Sequence, residues 1–232
     1  MKVLVLNGSP KKNSNTMMLT HAFLRGLNEE EKHEIQVVSV IEKDIGFCRG
    51  CLSCWFRQDG HCVIQDDMND ILDDIIASDV ILWSFPLYYH GIPAPLKAVL
   101  DRTNPFLKID MRMESGAAVH DTVVDLSAKK NIVITGCGFP YDPRNFAPLK
   151  MQMEMILGKP MMICVYETTL LTLPLPTIDP LKQRLLAAFT EAGKEFSREG
   201  SIAQDTLRKL EEPMLPNERY IQIINHLKKE NG

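Results

Sequence analysis

Short, continuous apolar runs alternate with amphipathic stretches along the first 200 residues of the chain. Runs such as residues 3–6 and 80–83 are apolar at every position, which is typical of parallel strands that are covered on both faces. Between these runs, apolar residues recur at helical spacing, as in Leu19, Phe23 and Leu27. The pattern predicts five strands, at about residues 2–6, 35–40, 80–83, 131–135 and 161–166.

Five amphipathic stretches lie between and after these strands. They predict helices at about residues 15–28, 67–76, 93–102, 145–157 and 180–197. Because strands and helices alternate, we expect an α/β domain with one parallel five-stranded sheet and helices on both faces. Residues 105–128 are weakly patterned, and we expect them to form an excursion from this domain.

The chain changes character after Gly200. Residues 203–210 and 220–229 predict two further helices, which Pro213 and Pro216 separate. We therefore divide the chain into a domain at 1–200 and a C-terminal helical extension at 201–232. The extension carries no obvious chemistry, and we expect it to pack either on the domain or on a partner subunit.

Composition and charge narrow the class of protein. Of the 232 residues, 45% are hydrophobic, which is enough for a sizeable core, and the net charge of −4 disfavours binding to nucleic acid. No apolar run approaches the roughly 18 residues of a membrane span, and the first residues lack the basic and apolar segments of a signal peptide. The six cysteines are then expected to be reduced thiols, metal ligands or redox groups, and the protein to be cytoplasmic.

The loop after the first strand has the composition of a phosphate site. Hydroxyl and amide side chains stand before a predicted helix, whose first N–H groups have no partner and whose dipole favours an anion. The loop matches neither GxxxxGK[ST] nor GxGxxG, which leaves a monophosphate site that suits FMN. The alternative is an ordinary strand-to-helix connection with good caps. The candidate phosphate ligands are Ser9, Lys11, Ser14, Asn15 and Thr16.

Two further loops leave the carboxyl ends of strands, where ligands bind in open α/β sheets. The first combines aromatic residues with glycine and two prolines, so it can present a flat apolar surface and backbone donors to an isoalloxazine ring. The second contains two glycines, which allow a ligand to approach the backbone closely. The alternative is a proline-rich turn that packs on the next helix. The candidate ring contacts are Pro86, Leu87, Tyr88, Tyr89, Gly91, Gly136, Cys137 and Gly138.

Four cysteines lie within fifteen residues of one another in the pattern C-x2-C-x2-C-x7-C. They are Cys48, Cys51, Cys54 and Cys62, between the second strand and the following helix. Four thiolates can hold a [4Fe–4S] cluster, although the spacing does not match the last step of the ferredoxin pattern. Zinc bound by four thiolates and a loop of metal-free thiols are the alternatives.

The motifs together resemble those of the NADPH-dependent FMN reductases of flavodoxin-like fold. The matching segments are Asn7-Gly8-Ser9-Pro10, Asn13-Ser14-Asn15-Thr16, Pro86-Leu87-Tyr88-Tyr89 and Pro93-Ala94-Pro95-Leu96-Lys97. The cysteine stretch, followed by Asp66-Asp67-Met68, resembles the iron–sulfur flavoprotein branch of this group. The resemblance covers about residues 1–200.

This resemblance implies noncovalently bound FMN, electrons from NAD(P)H or from a protein donor, and a homodimer or homotetramer. By position, it implies that the phosphate is held by Ser9, Ser14, Asn15 and Thr16, and that the ring lies against residues 86–89 and 136–139. Since the flavin itself exchanges the hydride, no catalytic side chain is predicted.

Three hypotheses for function follow. The first is an FMN oxidoreductase that passes electrons from NAD(P)H to a quinone, a small electrophile or a protein. The second is an electron carrier in which FMN and a [4Fe–4S] cluster relay single electrons. The third is a flavin-binding protein without turnover.

Overall fold

A five-stranded parallel sheet forms the centre of the computed structural model, which describes residues 1–230; residues 231–232 of the predicted extension lie outside it. The strands are β1 (Lys2–Asn7), β2 (Glu34–Ser39), β3 (Val80–Pro86), β4 (Leu107–Glu114), β5 (Ala117–Thr122), β6 (Lys130–Gly136) and β7 (Met161–Val165). The order in the sheet is β2-β1-β3-β6-β7, with every neighbouring pair parallel. This is the flavodoxin-like order, so the predicted fold class is confirmed.

Helices cover both faces of the sheet. They are α1 (Asn15–Glu30), α2 (Ser53–Arg57), α3 (Met68–Ala77), α4 (Ala94–Asp101), α5 (Ala147–Leu157), α6 (Asp179–Glu199), α7 (Gln204–Glu211) and α8 (Asn217–Glu230). Alternate residues of β1 enter different cores: Val3 and Val5 pack with α1 and α6, whereas Leu4 and Leu6 pack with α3, α4 and α5. Burial on both faces explains why the strands are apolar at every position.

The register of the strands brings their carboxyl ends to one edge of the sheet. Asn7 of β1 lies opposite Ser84 of β3, and Pro86 of β3 lies opposite Gly136 of β6, which in turn lies opposite Val165 of β7. Loops that follow four different strands therefore leave the sheet side by side. The strand order reverses between β1 and β3, which is the switch point at which such sheets bind ligands.

The expected excursion at 105–128 contains a β-hairpin, which was not predicted. Strands β4 and β5 pair with each other outside the main sheet, around a turn at Ser115 and Gly116. Apolar residues alternate with charged ones along β4, as Leu107, Ile109 and Met111 show. This two-residue period is the sequence signal for the strand that was missed.

The extension after Gly200 packs on the domain. Ile202, Leu210, Met214 and Tyr220 are buried in the same core as α1 and α6. Packing on the domain, one of the two expected arrangements, is therefore present in the structure. The division of the chain at residue 200 stays a prediction. Across the described residues, the structure contains no helix that is both long enough and apolar enough to span a bilayer.

Helices α1 and α6 approach each other at two glycines. A methyl group on Gly26 would lie 1.8 Å from the carbonyl oxygen of Thr190, and one on Gly193 would lie 2.0 Å from that of Phe23. Because both obstacles are backbone atoms, a side-chain rotation cannot relieve them. The two helices therefore pack this closely only if both positions are glycine.

We expect Gly26→Ala to destabilise the protein. Alanine favours a helix over glycine by about 1 kcal/mol, but overpacking against backbone costs about 1–3 kcal/mol, so the steric effect should win. Urea unfolding would measure the difference. Gly91→Ala is the control, because its added methyl would meet nothing closer than 3.8 Å. Equal stability of the two variants would contradict the close packing of the helices.

Candidate functional site

The loop between β1 and α1 is folded by its own polar side chains. Asn7 Oδ1 accepts a hydrogen bond from Ser9 N at 3.0 Å, and Ser14 Oγ caps α1 by accepting one from Met17 N at 3.2 Å. Gly8 lies against α4, where a methyl group would come within 2.8 Å of Leu96. These hydrogen bonds and the close contact with α4 fix the loop. They place the first N–H groups of α1 at the carboxyl edge of the sheet.

Asn15 has a structural contact that the sequence did not predict. Its Nδ2 donates to the carbonyl oxygen of Thr168 at 2.7 Å, which ties the start of α1 to the turn after β7. Its Oδ1 is buried and has no hydrogen-bond partner in the protein. A buried acceptor without a donor is costly, so the site favours a ligand that brings a hydroxyl or amide donor to this oxygen.

The second loop is a tight turn at the end of β3. Tyr88 and Gly91 exchange two backbone hydrogen bonds, at 3.1 and 2.9 Å. The two residues between them, Tyr89 and His90, both have positive φ, at 46° and 61°. Such a turn is usually built from asparagine and glycine, so these side chains are held in a strained backbone. Tyr89 is fully exposed at the tip of the turn.

The third loop is glycine-rich because the turn after β7 packs directly on it. A methyl group on Gly136 would lie 2.5 Å from Thr168, and one on Gly138 would lie 2.6 Å from Thr169. Cys137 between them is buried, and burial raises the pKa of its thiol. Cys137 is therefore a packing residue here rather than a reactive thiolate.

These loops and the turn after β7 line one cavity of about 220 Å³. Its lining residues are Ser9, Lys11, Ser14, Asn15, Thr16, Pro86, Leu87, Tyr88, Gly136, Gly138, Thr168 and Thr169. Ten of the predicted ligand-binding residues come together here, whereas Tyr89, Gly91 and Cys137 do not line the cavity. Thr168 and Thr169 were missed, although a Thr-Thr pair near the end of the fifth predicted strand was a signal for them.

The chemistry of this cavity suits FMN. Lys11 is the only formally charged residue in the lining, and it stands beside the N-terminus of α1, so both favour an anion such as a phosphate. The orphaned Asn15 Oδ1 suits a hydroxyl of the ribityl chain. Tyr88 and Leu87 supply apolar surface at the same cavity.

The four cysteines of the predicted cluster line a second, smaller cavity. Cys54 and Cys62 are buried, whereas Cys48 and Cys51 are exposed, and all four are free thiols. Burial raises the pKa of the Cys54 thiol, and the neighbouring Cys62 raises it further. The opposite wall includes residues 101, 102, 104 and 105, at and just after the end of α4, and Asn104 Nδ2 lies 3.8 Å from Cys48 Sγ.

Among the described residues, no three or more His, Cys, Asp or Glu side chains are arranged to hold one metal ion. A single zinc needs its sulfurs about 2.3 Å from one point, whereas a four-iron cluster binds each thiolate through a different iron and so tolerates wider spacing. Four thiolates suit either group by their chemistry, so the identity of the metal stays a prediction.

A buried ion pair closes the cysteine segment. Arg102 donates to both carboxylate oxygens of Asp66, at 2.8 and 2.9 Å, and to the carbonyl oxygen of Gly46 at 2.7 Å. Asp66 also accepts from Gly46 N at 2.9 Å. The pair thus joins the two ends of the excursion that carries the cysteines. The sequence indicated Asp66 only as part of the Asp66-Asp67-Met68 motif and did not predict its pairing with Arg102.

The ion pair with Arg102 also affects the pKa of Asp66. Burial by itself would raise the pKa of the carboxyl, but the hydrogen bonds from Arg102, Gly46 and Met68 outweigh it, so the pKa lies below its usual range. The side chains of Asp66 and Arg102 are 5% and 1% exposed, so each charge depends on the other.

We expect Asp66→Asn to lower the free energy of unfolding by about 3–5 kcal/mol, because the substitution leaves the Arg102 charge buried and unpaired. Asp59→Asn is the matched control. It removes an ion pair with Arg57 at 2.6 Å in the same segment, but those side chains are 40% and 47% exposed, so its cost should stay below about 1 kcal/mol. Denaturant unfolding of both variants measures the difference. Similar losses in both would show that the Asp66 pair has no special role.

Comparisons with known proteins agree with this geometry. A model of the NADPH-dependent FMN reductase family matches residues 1–128, a stretch that includes all four cysteines of the second cavity. An iron-sulfur flavoprotein of Methanocaldococcus jannaschii is 34% identical over 120 residues, which cover 51% of this chain and 61% of that protein. The chain spans about half the length of the curated relatives it matches.

Two solved structures share the fold. An NAD(P)H:quinone oxidoreductase from Methanothermobacter marburgensis matches with a TM-score of 0.60 and 16% identity, over 84% of this chain and 96% of that chain. An FMN-dependent NADH-azoreductase from Bacillus anthracis in complex with FMN has the same TM-score and identity, over 84% of this chain and 99% of that chain. At this level of identity, the likeness shows the fold alone.

Proposed function

The chain belongs to the NADPH-dependent FMN reductase family, and we propose that it is an FMN-dependent oxidoreductase that takes electrons from NAD(P)H. The acceptor in this proposal is a quinone, a small electrophile or another protein. One observation carries it: ten of the residues predicted to bind FMN line a single cavity at the switch point of the sheet.

The polarity of the lining residues suggests which part of FMN each of them would contact. Lys11, Ser9 and the first N–H groups of α1 would hold the phosphate, since they are the cationic and donor groups of the lining. Asn15 Oδ1 would accept a hydrogen bond from the ribityl chain. Pro86, Leu87 and Tyr88 would contact the ring.

The size of the cavity supports the same arrangement. At about 220 Å³ it is smaller than the roughly 300–1,000 Å³ of most cofactor sites. We therefore propose that it encloses the phosphate end of FMN and leaves one face of the ring open beside Tyr88, whose side chain is partly exposed. An open face gives a nicotinamide and an electron acceptor access to the same place in turn.

FMN, when bound, supplies the two-electron chemistry, so no acid or base of the protein is needed for that transfer. The proposed tasks of the chain's own residues are to neutralise the phosphate, to orient the ring and to fix the loops around it. No titratable group other than Lys11 and Tyr88 lines the cavity, which agrees with a site that moves electrons rather than one that protonates a substrate by a side chain.

The second candidate function is an iron–sulfur electron carrier, and the convergence of four cysteines on one cavity favours it. That cavity is only about 30 Å³, so a cluster would require the cysteine segment to rearrange around it. The Arg49 charge in the lining would offset part of the negative charge of four thiolates. In this version, FMN and the cluster exchange electrons and a protein donor replaces NAD(P)H.

The assembly and location are also part of the proposal. We propose a homodimer or homotetramer in the cytoplasm. The support for the assembly is a set of exposed aromatic side chains near the two cavities: Phe47, Phe56, Tyr89 and Phe139 are each more than two thirds exposed. Apolar surface of this kind commonly marks an interaction site.

The two candidate functions differ in what reduces the flavin. Anaerobic protein loaded with FMN should lose its flavin absorption when NADPH or NADH is added, if the chain is a nicotinamide-dependent reductase. Bleaching only by a reduced ferredoxin, together with close to four irons per chain that Cys51→Ser removes, would favour the carrier. An FMN-loaded, iron-free protein that neither donor reduces would leave only a flavin-binding function.

We expect Thr16→Val to weaken FMN binding by about 1–3 kcal/mol, because it removes the hydroxyl of a buried residue that lines the cavity at the start of α1. Thr20→Val is the matched control. Thr20 lies one turn later, and its buried hydroxyl pairs with Ser84 Oγ at 2.8 Å outside the cavity. Fluorescence titration with FMN measures both. The same loss in both variants would indicate a general effect on α1 rather than a phosphate contact.

A further inference from the structure

The loop that follows β6 is held by hydrogen bonds to three successive carbonyl groups. Cys137 O accepts from Thr168 N at 2.9 Å and from its Oγ1 at 3.0 Å, and Phe139 O accepts from Glu167 N at 2.9 Å. The middle carbonyl, that of Gly138, accepts from the Tyr220 hydroxyl. The first and third contacts come from the turn after β7, whereas the second comes from α8 in the extension.

Helix α8 also binds the loop after β6 at a second residue, Tyr141. The side-chain amide of Asn217 donates to Tyr141 O at 3.0 Å and accepts from Tyr141 N at 3.1 Å. Asn217 and Tyr220 are three residues apart at the start of α8, so they lie on the same face of the helix. One turn of α8 therefore fixes the backbone on both sides of residue 139.

The chain just before α8 is attached to the other wall of the cavity. Glu167 is fully buried, and its Oε2 accepts from Met214 N at 2.7 Å and from Leu215 N at 3.0 Å. Glu167 directly precedes Thr168 and Thr169, which line the cavity. The extension thus contacts both segments that form this side of the proposed FMN site.

Gly138 is the position at which such a contact matters most. Glycine has no side chain to restrict φ and ψ, so its backbone can adopt more conformations than that of any other residue. A larger residue would force Thr169 to move, because a methyl group on Gly138 would lie 2.6 Å from Thr169 Oγ1. The orientation of its peptide groups, which form part of the cavity wall, must therefore be set by hydrogen bonds from elsewhere.

We infer that the C-terminal extension is a positioning element of the flavin site, in which Tyr220, supported by Asn217, sets the conformation of the 138–141 segment. This inference rests on the proposed binding of FMN. It assigns a role to a part of the chain that lies outside the matched residues 1–128 and that the sequence left without chemistry. Tyr220 acts through Gly138 and does not itself line the cavity.

The test uses Tyr220→Phe in the full chain, which keeps the buried ring and removes only the hydroxyl. In FMN-free protein, we expect faster amide hydrogen exchange in residues 136–141. In loaded protein, we expect a shifted flavin absorption spectrum and a dissociation constant for FMN that rises about three- to tenfold, the range for one net hydrogen bond.

Ser78→Ala is the matched control. It also removes a buried hydroxyl that donates to a backbone carbonyl, that of Ile75 at 3.0 Å, but it does so before β3, at the opposite edge of the sheet. The control should leave exchange at 136–141 and the flavin spectrum unchanged. If Tyr220→Phe does not fold, Asn217→Ala, which removes both contacts with Tyr141, is expected to give the same exchange and spectral changes.

Wild-type exchange, affinity and flavin spectrum in the folded Tyr220 or Asn217 variant would overturn the inference, as would equal changes in Ser78→Ala. Failure of the wild-type protein to bind FMN is a different result. It would reject the proposed function and with it a role in flavin binding, while the exchange measurement would still show whether α8 holds the loop.

Discussion

The loops at the carboxyl edge of the sheet are held by close contacts of three glycines, where the backbone approaches its neighbours more closely than a larger residue would allow. Gly8 lies against Leu96, Gly136 against Thr168 and Gly138 against Thr169, in each case with less than 3 Å for an added methyl group. The first contact holds the loop after β1 on α4, and the other two hold the end of β6 against the turn after β7. The first turn of α1 and the third loop line the same cavity. A substitution at any of the three glycines would push the loops apart before it touched a ligand.

This edge and the cysteine pocket are separate sites joined by one helix. Helix α4 begins a few residues after the turn at Tyr88 and ends next to Arg102, and the two cavities share no lining residue. Its eight residues correspond to about 12 Å at the rise of an α-helix. The buried Asp66–Arg102 pair anchors the cysteine segment to the end of this helix.

Much of this arrangement was predictable from local patterns. Continuous apolar runs and alternating helices gave the parallel sheet, and the place of each loop after its strand gave most of the cavity lining. The predicted resemblance to the FMN reductases is confirmed by the family match over residues 1–128. These features depend on residues close to one another in sequence or on the general rule that parallel strands end at one edge.

What could not be predicted depends on contacts between distant residues. Asn15 pairs with Thr168, Asp66 with Arg102 and Gly138 with Tyr220, at separations of 153, 36 and 82 residues. No local pattern encodes such pairs. Tyr89 failed to line the cavity for another reason: it occupies a turn position with positive φ, which turns its side chain into solvent.

The central claim is that the loop at the start of α1 binds FMN by its phosphate. Comparing the affinities of the wild-type protein for FMN and for riboflavin, which lacks the phosphate, tests it most directly. If Lys11 and the N-terminus of α1 hold the phosphate, FMN should bind about 100-fold more tightly than riboflavin, and added salt should narrow the difference. Equal affinity for the two flavins would contradict the account.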